Sequence, residues 1–341
     1  SGKPLQVLEQ CVPIEVIAKE GEARTLSPDL CDAKSLSASL LQLHRQRREG
    51  GATAAPACVL LTAGPAAGKT SLMSQVVMHA LDEESELVPI LIKVQKLQRR
   101  LLDHGDEFAA SWNWLDAHLK LEHAKAHPEV YRMLRQALLA RRTLVLLDGL
   151  DEAGTERDAI ERHVAEVLAP QGHAMLVTSR PAGIDEGRFA QFHRLSLAPL
   201  TPEQQEEAAR QRVGEVQAAE LLVYLRGKVP LDHEGRRVTS NPLMLSMVIS
   251  IFEIRQGLEM PSTVAELYGD ATEAMLERGG AASPELRRLL QMIFFKAQMA
   301  QSRIITDLQL NTAALELAVP DGLAAVCKAA MAGYFNAAKG R

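Results

Sequence analysis

Five short apolar runs mark the first two hundred residues: Cys58–Thr62, Val88–Val94, Leu144–Leu147, Ala174–Thr178 and His193–Leu197. The run at Leu144 is continuous rather than alternating, as expected of a parallel strand covered on both faces. Helical periodicities separate all five. Strands and helices in alternation build a parallel five-stranded sheet through right-handed crossovers, so the pattern predicts a three-layer α/β domain. The interval 97–142 reads as mostly helical, with a break at His127-Pro128. After Leu200 the strands stop. Thr201-Pro202-Glu203-Gln204 reads as a helix start, with Thr201 as cap, Pro202 in the first helical position and Gln204 closing a capping box. An all-helical stretch follows, up to the breaker cluster Gly279-Gly280-Ala281-Ala282-Ser283-Pro284, beyond which a third unit begins.

Composition narrows the classes of function. At 341 residues the chain is long enough for two or three domains, and its net charge is -5. Basic residues are scattered apart from short runs such as His44-Arg45-Gln46-Arg47-Arg48, so no nucleic acid is indicated as the main partner. Cys11, Cys31, Cys58 and Cys327 are far apart and lack metal-like pairing, which points to reduced thiols and a cytoplasmic setting. The longest apolar runs, such as Pro242 to Phe252, fall short of the ~20 residues of a membrane span, and no signal peptide opens the chain. A soluble protein is expected. The chain opens Ser1-Gly2 and ends Gly340-Arg341 inside an alanine-rich helical pattern, so a fragment is expected too, with effector and sensor domains outside it.

The chemistry concentrates in Ala63-Gly64-Pro65-Ala66-Ala67-Gly68-Lys69-Thr70, which follows the apolar run Cys58–Leu61 and precedes the helix-like Ser71-Leu72-Met73-Ser74. Small residues let a backbone curl so that successive N–H groups face one anion, and the helix N-terminus adds partial positive charge. Lys69 reaches the outer phosphates of a nucleoside triphosphate, and Thr70 supplies a hydroxyl to Mg²⁺. Ala63 stands where such loops usually carry their first glycine. The strand Leu144–Leu147 ends in Asp148, 79 residues after Lys69, with Asp151 and Glu152 just beyond. Ligands of parallel sheets gather at the carboxyl ends of the strands, so Asp148 is expected beside the P-loop, facing Mg²⁺.

Three motifs taken in order carry a resemblance. Leu147-Asp148-Gly149-Leu150-Asp151-Glu152, Val177-Thr178-Ser179-Arg180-Pro181 and Ser240-Asn241-Pro242-Leu243-Met244 resemble the NACHT domain of STAND-class signalling ATPases, of the NOD-like-receptor type, over about residues 40–305. In AAA+ ATPases a glutamate usually follows the first aspartate directly; here Gly149 does.

The resemblance implies an N-terminal segment at 1–50 closing over the nucleotide, a P-loop domain at 51–198, a helical domain at 199–281 and a truncated winged-helix domain at 282–341. It implies that Lys69 and the Gly64–Ser71 backbone hold the phosphates of ATP or ADP and that Thr70 and Asp148 hold Mg²⁺. Asp151 or Glu152 would address the attacking water, with Glu152 favoured as the base and Asp151 as support for the Mg²⁺ shell. Arg180 would sense the γ-phosphate, Pro242 would pack on the base, and the segment Cys31–Leu43 would close the other side. If the chain stays extended past Asp148, the two acids point in different directions. The expected function is an ATP/ADP switch with slow hydrolysis that self-oligomerises when ATP-bound, in innate immune or stress signalling. All ten histidines lie at or before His233, so the winged-helix histidine that NACHT proteins place on the β-phosphate is not among these residues.

Other classes are distinguishable. A cycling AAA+ remodelling ATPase needs a pore loop and a neighbour's arginine finger, and the Gly149 spacing counts against it. A metabolic nucleotide kinase needs an arginine-rich lid; the Arg180 and Pro242 motifs count against that. A GTP-preferring P-loop switch stays open, because P-loops do not read the base; the sequence has no Asn-Lys-x-Asp segment of the kind guanine-specific GTPases use, which favours adenine only modestly.

Overall fold

The computed structural model describes residues 14–18, 30–50, 56–82, 86–232, 234–255, 260–278, 284–299 and 307–317. The chain divides into two compact units, residues 1–249 and 250–341.

In the first unit, six strands form one sheet: β1 (Val16–Ala18), β2 (Cys58–Thr62), β3 (Val88–Lys93), β4 (Thr143–Asp148), β5 (Ala174–Ser179) and β6 (His193–Leu197), in the order β1-β6-β2-β5-β4-β3. The five strands predicted from apolar runs are all present and mutually parallel. The sixth is a correction to the five-stranded expectation. Val16–Ala18 adds an antiparallel edge to β6, pairing Val16 with Leu197 and Ala18 with Leu195. Three residues are too few to show a period, which is why the pattern does not reveal this strand.

Alternate residues of each strand feed opposite layers, because successive side chains point to opposite faces. Leu60, Ile92, Val145, Leu147, Met175 and Val177 pack into one core with Leu97, Leu115, Ile160 and Phe189. Val59, Leu61, Leu144, Leu146 and Leu176 face the other way, onto Leu36 and Leu40 of α1 (Ala33–Gly50) and Leu72, Met73 and Val76 of α2 (Lys69–Asp82). The central strands β2, β4 and β5 are therefore buried nearly throughout, while edge strand β3 alternates. This is the α/β P-loop NTPase-like fold. Cys58, deep in β2, has its thiol pushed up to about 12 by burial; it and exposed Cys31 are both free thiols.

The interval after β3 is helical, as predicted, but broken more often: α3 (Val94–Asp103), α4 (Gly105–Ala109), α5 (Trp114–His123) and α6 (Pro128–Leu139). Pro128 opens α6, so the break at His127-Pro128 stands. The Asn113 side chain caps α5 by accepting from the Asp116 N–H at 2.8 Å. The β4–β5 crossover contains α7 (Arg157–His163).

Beyond β6 the described residues are helical: α8 (Pro202–Val213), α9 (Glu215–Gly227), α10 (Pro242–Arg255), α11 (Val264–Arg278), α12 (Pro284–Met299) and α13 (Asp307–Glu316). The capping box at Thr201 forms in both directions, at 2.9 and 3.2 Å. In the second unit Leu286, Leu289 and Ile293 of α12 pack on Leu310, Ala313 and Ala314 of α13. Of the part at 282–341 expected to begin a winged helix, 284–299 and 307–317 are described and the rest falls outside the described residues. Among the described residues no helix is long and apolar enough to cross a membrane.

Candidate functional site

The carboxyl ends of β2, β5 and β4 are adjacent in the sheet, and the motif side chains project from these ends or from the turns that follow. After β2 the loop takes two left-handed residues, Ala66 at φ 58° and Gly68 at φ 95°, before α2 begins at Lys69. The φ of Gly68 calls for glycine, and a Cβ there would also push on Ile14, lying 2.3 Å from its movable Cδ1 end and 3.8 Å from Pro242 Cγ. Ala63 is different. Its N–H donates to the Ser179 carbonyl at 3.1 Å, prolonging the β2–β5 ladder. A residue continuing a strand tolerates the Cβ that a turn would reject, which accounts for alanine at this position. Gly64, Pro65 and Ala66 are exposed, and Ala67 and Ser71 are half-buried.

The Lys69 ammonium donates to the carbonyls of Ala63 and Gly64, both at 2.8 Å. Burial draws its pKa below 10.5 and Arg180 draws it the same way, while Asp151, Asp148 and Glu152 oppose the shift. Asp148 is clasped by two hydroxyls: Thr70 Oγ1 donates to Oδ2 at 2.8 Å and Thr178 Oγ1 donates to Oδ1 at 2.9 Å. Thr178 in turn accepts the Gly149 N–H at 2.9 Å. Thr178 is a site residue that the sequence reading missed. The available signal was its spacing: it stands two residues before Arg180 on β5, hence on the same face of the strand.

Chain direction changes after Asp148, so the condition of an extended continuation is not met. Gly149 sits at φ 82°, which only glycine adopts cheaply, and Leu150–Glu152 form a 3₁₀ turn closed by the Glu152 N–H on the Gly149 carbonyl at 2.9 Å. The turn buries Leu150 and carries Asp151 to Arg180: Oδ2 lies 3.0 Å from Nε, and Oδ1 accepts the Arg180 backbone N–H at 3.1 Å. Glu152 keeps the more exposed place. Its pKa is raised above 4.5 by desolvation first and then by Asp151 and Asp148, with Arg180 and Lys69 pulling down.

Asn241 caps α10 through its Oδ1, accepting from Leu243 N–H at 3.0 Å, and its Nδ2 donates to the Pro65 carbonyl at 3.2 Å. Buried Gln205 anchors this arrangement by donating to the Leu200 carbonyl and accepting from Thr239 Oγ1 at 2.7 Å. Pro242 is thereby placed beside the P-loop. From the N-terminal side it is Ile14 that meets Gly68, whereas α1 turns Leu36 and Leu40 of the segment Cys31–Leu43 into the sheet core.

The donor set suits Mg²⁺. Among the described residues no cluster of three or more His, Cys, Asp or Glu forms an all-protein metal cage. One carboxylate and one hydroxyl, both hard oxygens, are what Mg²⁺ takes from a protein when phosphates and water complete its shell.

Residues 58–215 match the family model of the NACHT domain. This part of the chain is a NACHT domain. Lys69, Thr70, Asp148, Asp151, Glu152, Thr178 and Arg180 all lie within it, whereas Ile14, Asn241 and Pro242 reach its P-loop from outside the matched residues. No curated protein matches the chain. Solved structures similar to it include a RuvB variant from Thermotoga maritima (12% identity, 84% of this chain and 82% of that one, TM-score 0.37). Domain III of the replication initiation protein DnaA from Thermotoga maritima is another (13% identity, 76% and 94%, TM-score 0.35). A third is a signal-transduction ATPase with numerous domains and a tetratricopeptide repeat sensor from Pyrococcus horikoshii (14% identity, 74% and 33%, TM-score 0.38). Likenesses this loose say nothing about function.

Proposed function

We propose that the chain is a nucleotide-controlled switch that binds ATP and ADP and hydrolyses ATP slowly. The observation that carries this reading is the clasp of Asp148 between Thr70 and Thr178, with Lys69 one residue before Thr70 and Arg180 two residues beyond Thr178. Residues 78 apart in sequence, Thr70 and Asp148, are joined directly, as a shared Mg²⁺ shell demands. In this reading the P-loop backbone from Gly64 to Ser71 and Lys69 hold the phosphates, and Thr70 and Asp148 hold the metal, which neutralises phosphate charge. Glu152 orients or deprotonates the attacking water, Arg180 contacts the γ-phosphate, and Pro242 packs on the base.

Slow hydrolysis makes the bound nucleotide a record of state. A ligand moves a two-state equilibrium almost completely only if it distinguishes the states by ~5.5 kcal/mol, and contacts specific to the γ-phosphate supply such a difference. In this reading 199–281 is the helical domain that follows the nucleotide, 282–341 begins a winged helix, and the ATP form self-associates in the cytoplasm. Adenine is preferred to guanine.

The test is the nucleotide that the purified chain carries, identified by chromatography after denaturation. ADP is expected from the wild type and none from Lys69→Ala. Bound guanine nucleotide, or Lys69→Ala that retains ADP, overturns the reading.

A further inference from the structure

We propose that Asp151 positions Arg180 for the γ-phosphate, and that Gly183 is the small residue that lets it do so; this rests on the function proposed above. The sequence leaves Asp151 as a second Mg²⁺-shell acid beside Asp148. Geometry separates the two. The oxygens of Asp148 face the hydroxyls of Thr70 and Thr178, the first of which is the metal-side residue of the P-loop. Both oxygens of Asp151 face Arg180 instead, one on the backbone N–H at 3.1 Å and one on Nε at 3.0 Å.

The carboxylate accepts the arginine's backbone N–H as a hydrogen bond and stands 3.0 Å from Nε as an ion pair, which holds the start of that side chain and draws the guanidinium to this side. The grip uses the backbone N–H and Nε, so the two terminal nitrogens of the planar guanidinium, with four N–H donors, remain for another acceptor. Among the described residues no acceptor engages those nitrogens, and the Arg180 side chain is 37% exposed while that of Asp151 is 3% exposed. The buried partner is the anchor and the exposed one is the reader.

Gly183 closes the grip from behind. Its N–H donates to the Arg180 carbonyl at 3.0 Å, turning the chain back over Asp151. A Cβ on Gly183 would stand 2.3 Å from Asp151 Cβ, an atom that the main chain fixes and no rotamer moves. Any side chain at 183 must therefore displace either Asp151 or the Arg180 turn.

The test is a double-mutant cycle on the full chain, read as the ratio of affinities for ATPγS and ADP by calorimetry with Mg²⁺ and with EDTA. Arg180→Gln is expected to lower the ATPγS-over-ADP ratio by about tenfold or more, the worth of one charge-assisted contact. Asp151→Asn is expected to lower it by the same factor, and the double variant by no more than either alone, because both remove one device. ADP affinity stays near wild type, with or without Mg²⁺. Losses that multiply in the double variant, or a loss in Asp151→Asn that disappears in EDTA, overturn the proposal in favour of an independent metal-side role. Should Asp151→Asn fail to fold, Gly183→Ala keeps both charged groups and is expected to show the same loss of discrimination; wild-type discrimination there overturns the proposal. A wild-type chain that binds neither nucleotide fails the switch reading itself, an outcome separate from any pattern among the variants.

Discussion

At the carboxyl ends of the sheet the charges of Asp148, Asp151 and Arg180 act on Lys69 and Glu152, while elsewhere in the same unit His163 and His173 are buried with no carboxylate acting on them. His173, at the start of β5, shares a 2.8 Å hydrogen bond with Thr143 at the start of β4. His163 stacks on Trp114 at 4.1 Å between ring centres, and its Nε2 accepts the Trp114 N–H. Burial holds His163 and His173 down to about 4 and His118 to about 3. Both regions desolvate ionisable groups. The carboxyl end surrounds them with partners of both signs and leaves charge to work with; the interior supplies packing and neutral hydrogen bonds, and the charge is given up.

The sharpest way to probe the charged region is to remove Glu152, the more exposed of the two acids after Gly149. Glu152→Gln is expected to leave ATP affinity nearly intact while hydrolysis falls by ~10²-fold or more, the scale of losing a positioned proton acceptor. A phosphate-release assay reads this. Because the Glu152 pKa is raised, the acid limb of the wild-type rate profile is expected above 4.5, with activity rising as the carboxyl deprotonates. Wild-type turnover in Glu152→Gln, with turnover lost in Asp151→Asn, reverses the division of labour.

A smaller effect is expected one bond further out. Thr178→Val keeps the shape of a fully buried side chain but removes the hydroxyl that donates to Asp148 and accepts from Gly149. Leaving such groups unpaired costs about 1–3 kcal/mol, so Mg²⁺-dependent nucleotide binding is expected to weaken about tenfold and Mg²⁺-independent binding much less. Equal losses with and without Mg²⁺ would show that Thr178 serves the fold rather than the metal-side carboxylate.

The neutral region answers to pH. The folded pKa values of His118, His163 and His173 lie below the ordinary 6.5, so as pH falls from 6.5 toward 4 the unfolded chain takes up protons that the folded chain refuses. Stability is therefore complete above pH 7 and declines through that window, by about 1.4 kcal/mol per pH unit for each such histidine. Glu152 acts in the opposite sense: its raised pKa means that protonation relieves the folded state. Urea unfolding at pH 7, 6 and 5 measures the sum. His173→Asn, which can still hydrogen-bond to Thr143, is expected to flatten the slope by one histidine's share; an unchanged slope would mean that His173 does not titrate in this way.

Much of this was legible in the chain itself. Strands β2 to β6, the P-loop, the Thr201 capping box and the helix start at Pro128 were all readable, because each is written in neighbouring residues: apolar runs bury both faces of a strand, and small residues before Gly-Lys-Thr leave the backbone free to curl round an anion. The position of Asp148 was legible for the same reason, as the polar end of an apolar strand.

What only the tertiary structure decided is where distant pieces of chain return. Ile14 on Gly68, Asn241 on Pro65, Thr178 on Asp148 and Arg180 on Asp151 join residues from 29 to 176 positions apart where hydrogen-bonded, and no local period encodes such meetings. The two acids show the limit most clearly. Asp151 and Glu152 are adjacent and chemically alike, so the sequence by itself establishes that carboxylates stand at the strand's end but not which does what. The left-handed turn at Gly149 and the space left by Gly183 send one acid under an arginine and leave the other toward solvent, because side-chain direction is set by backbone geometry and by what the returning chain has room to admit.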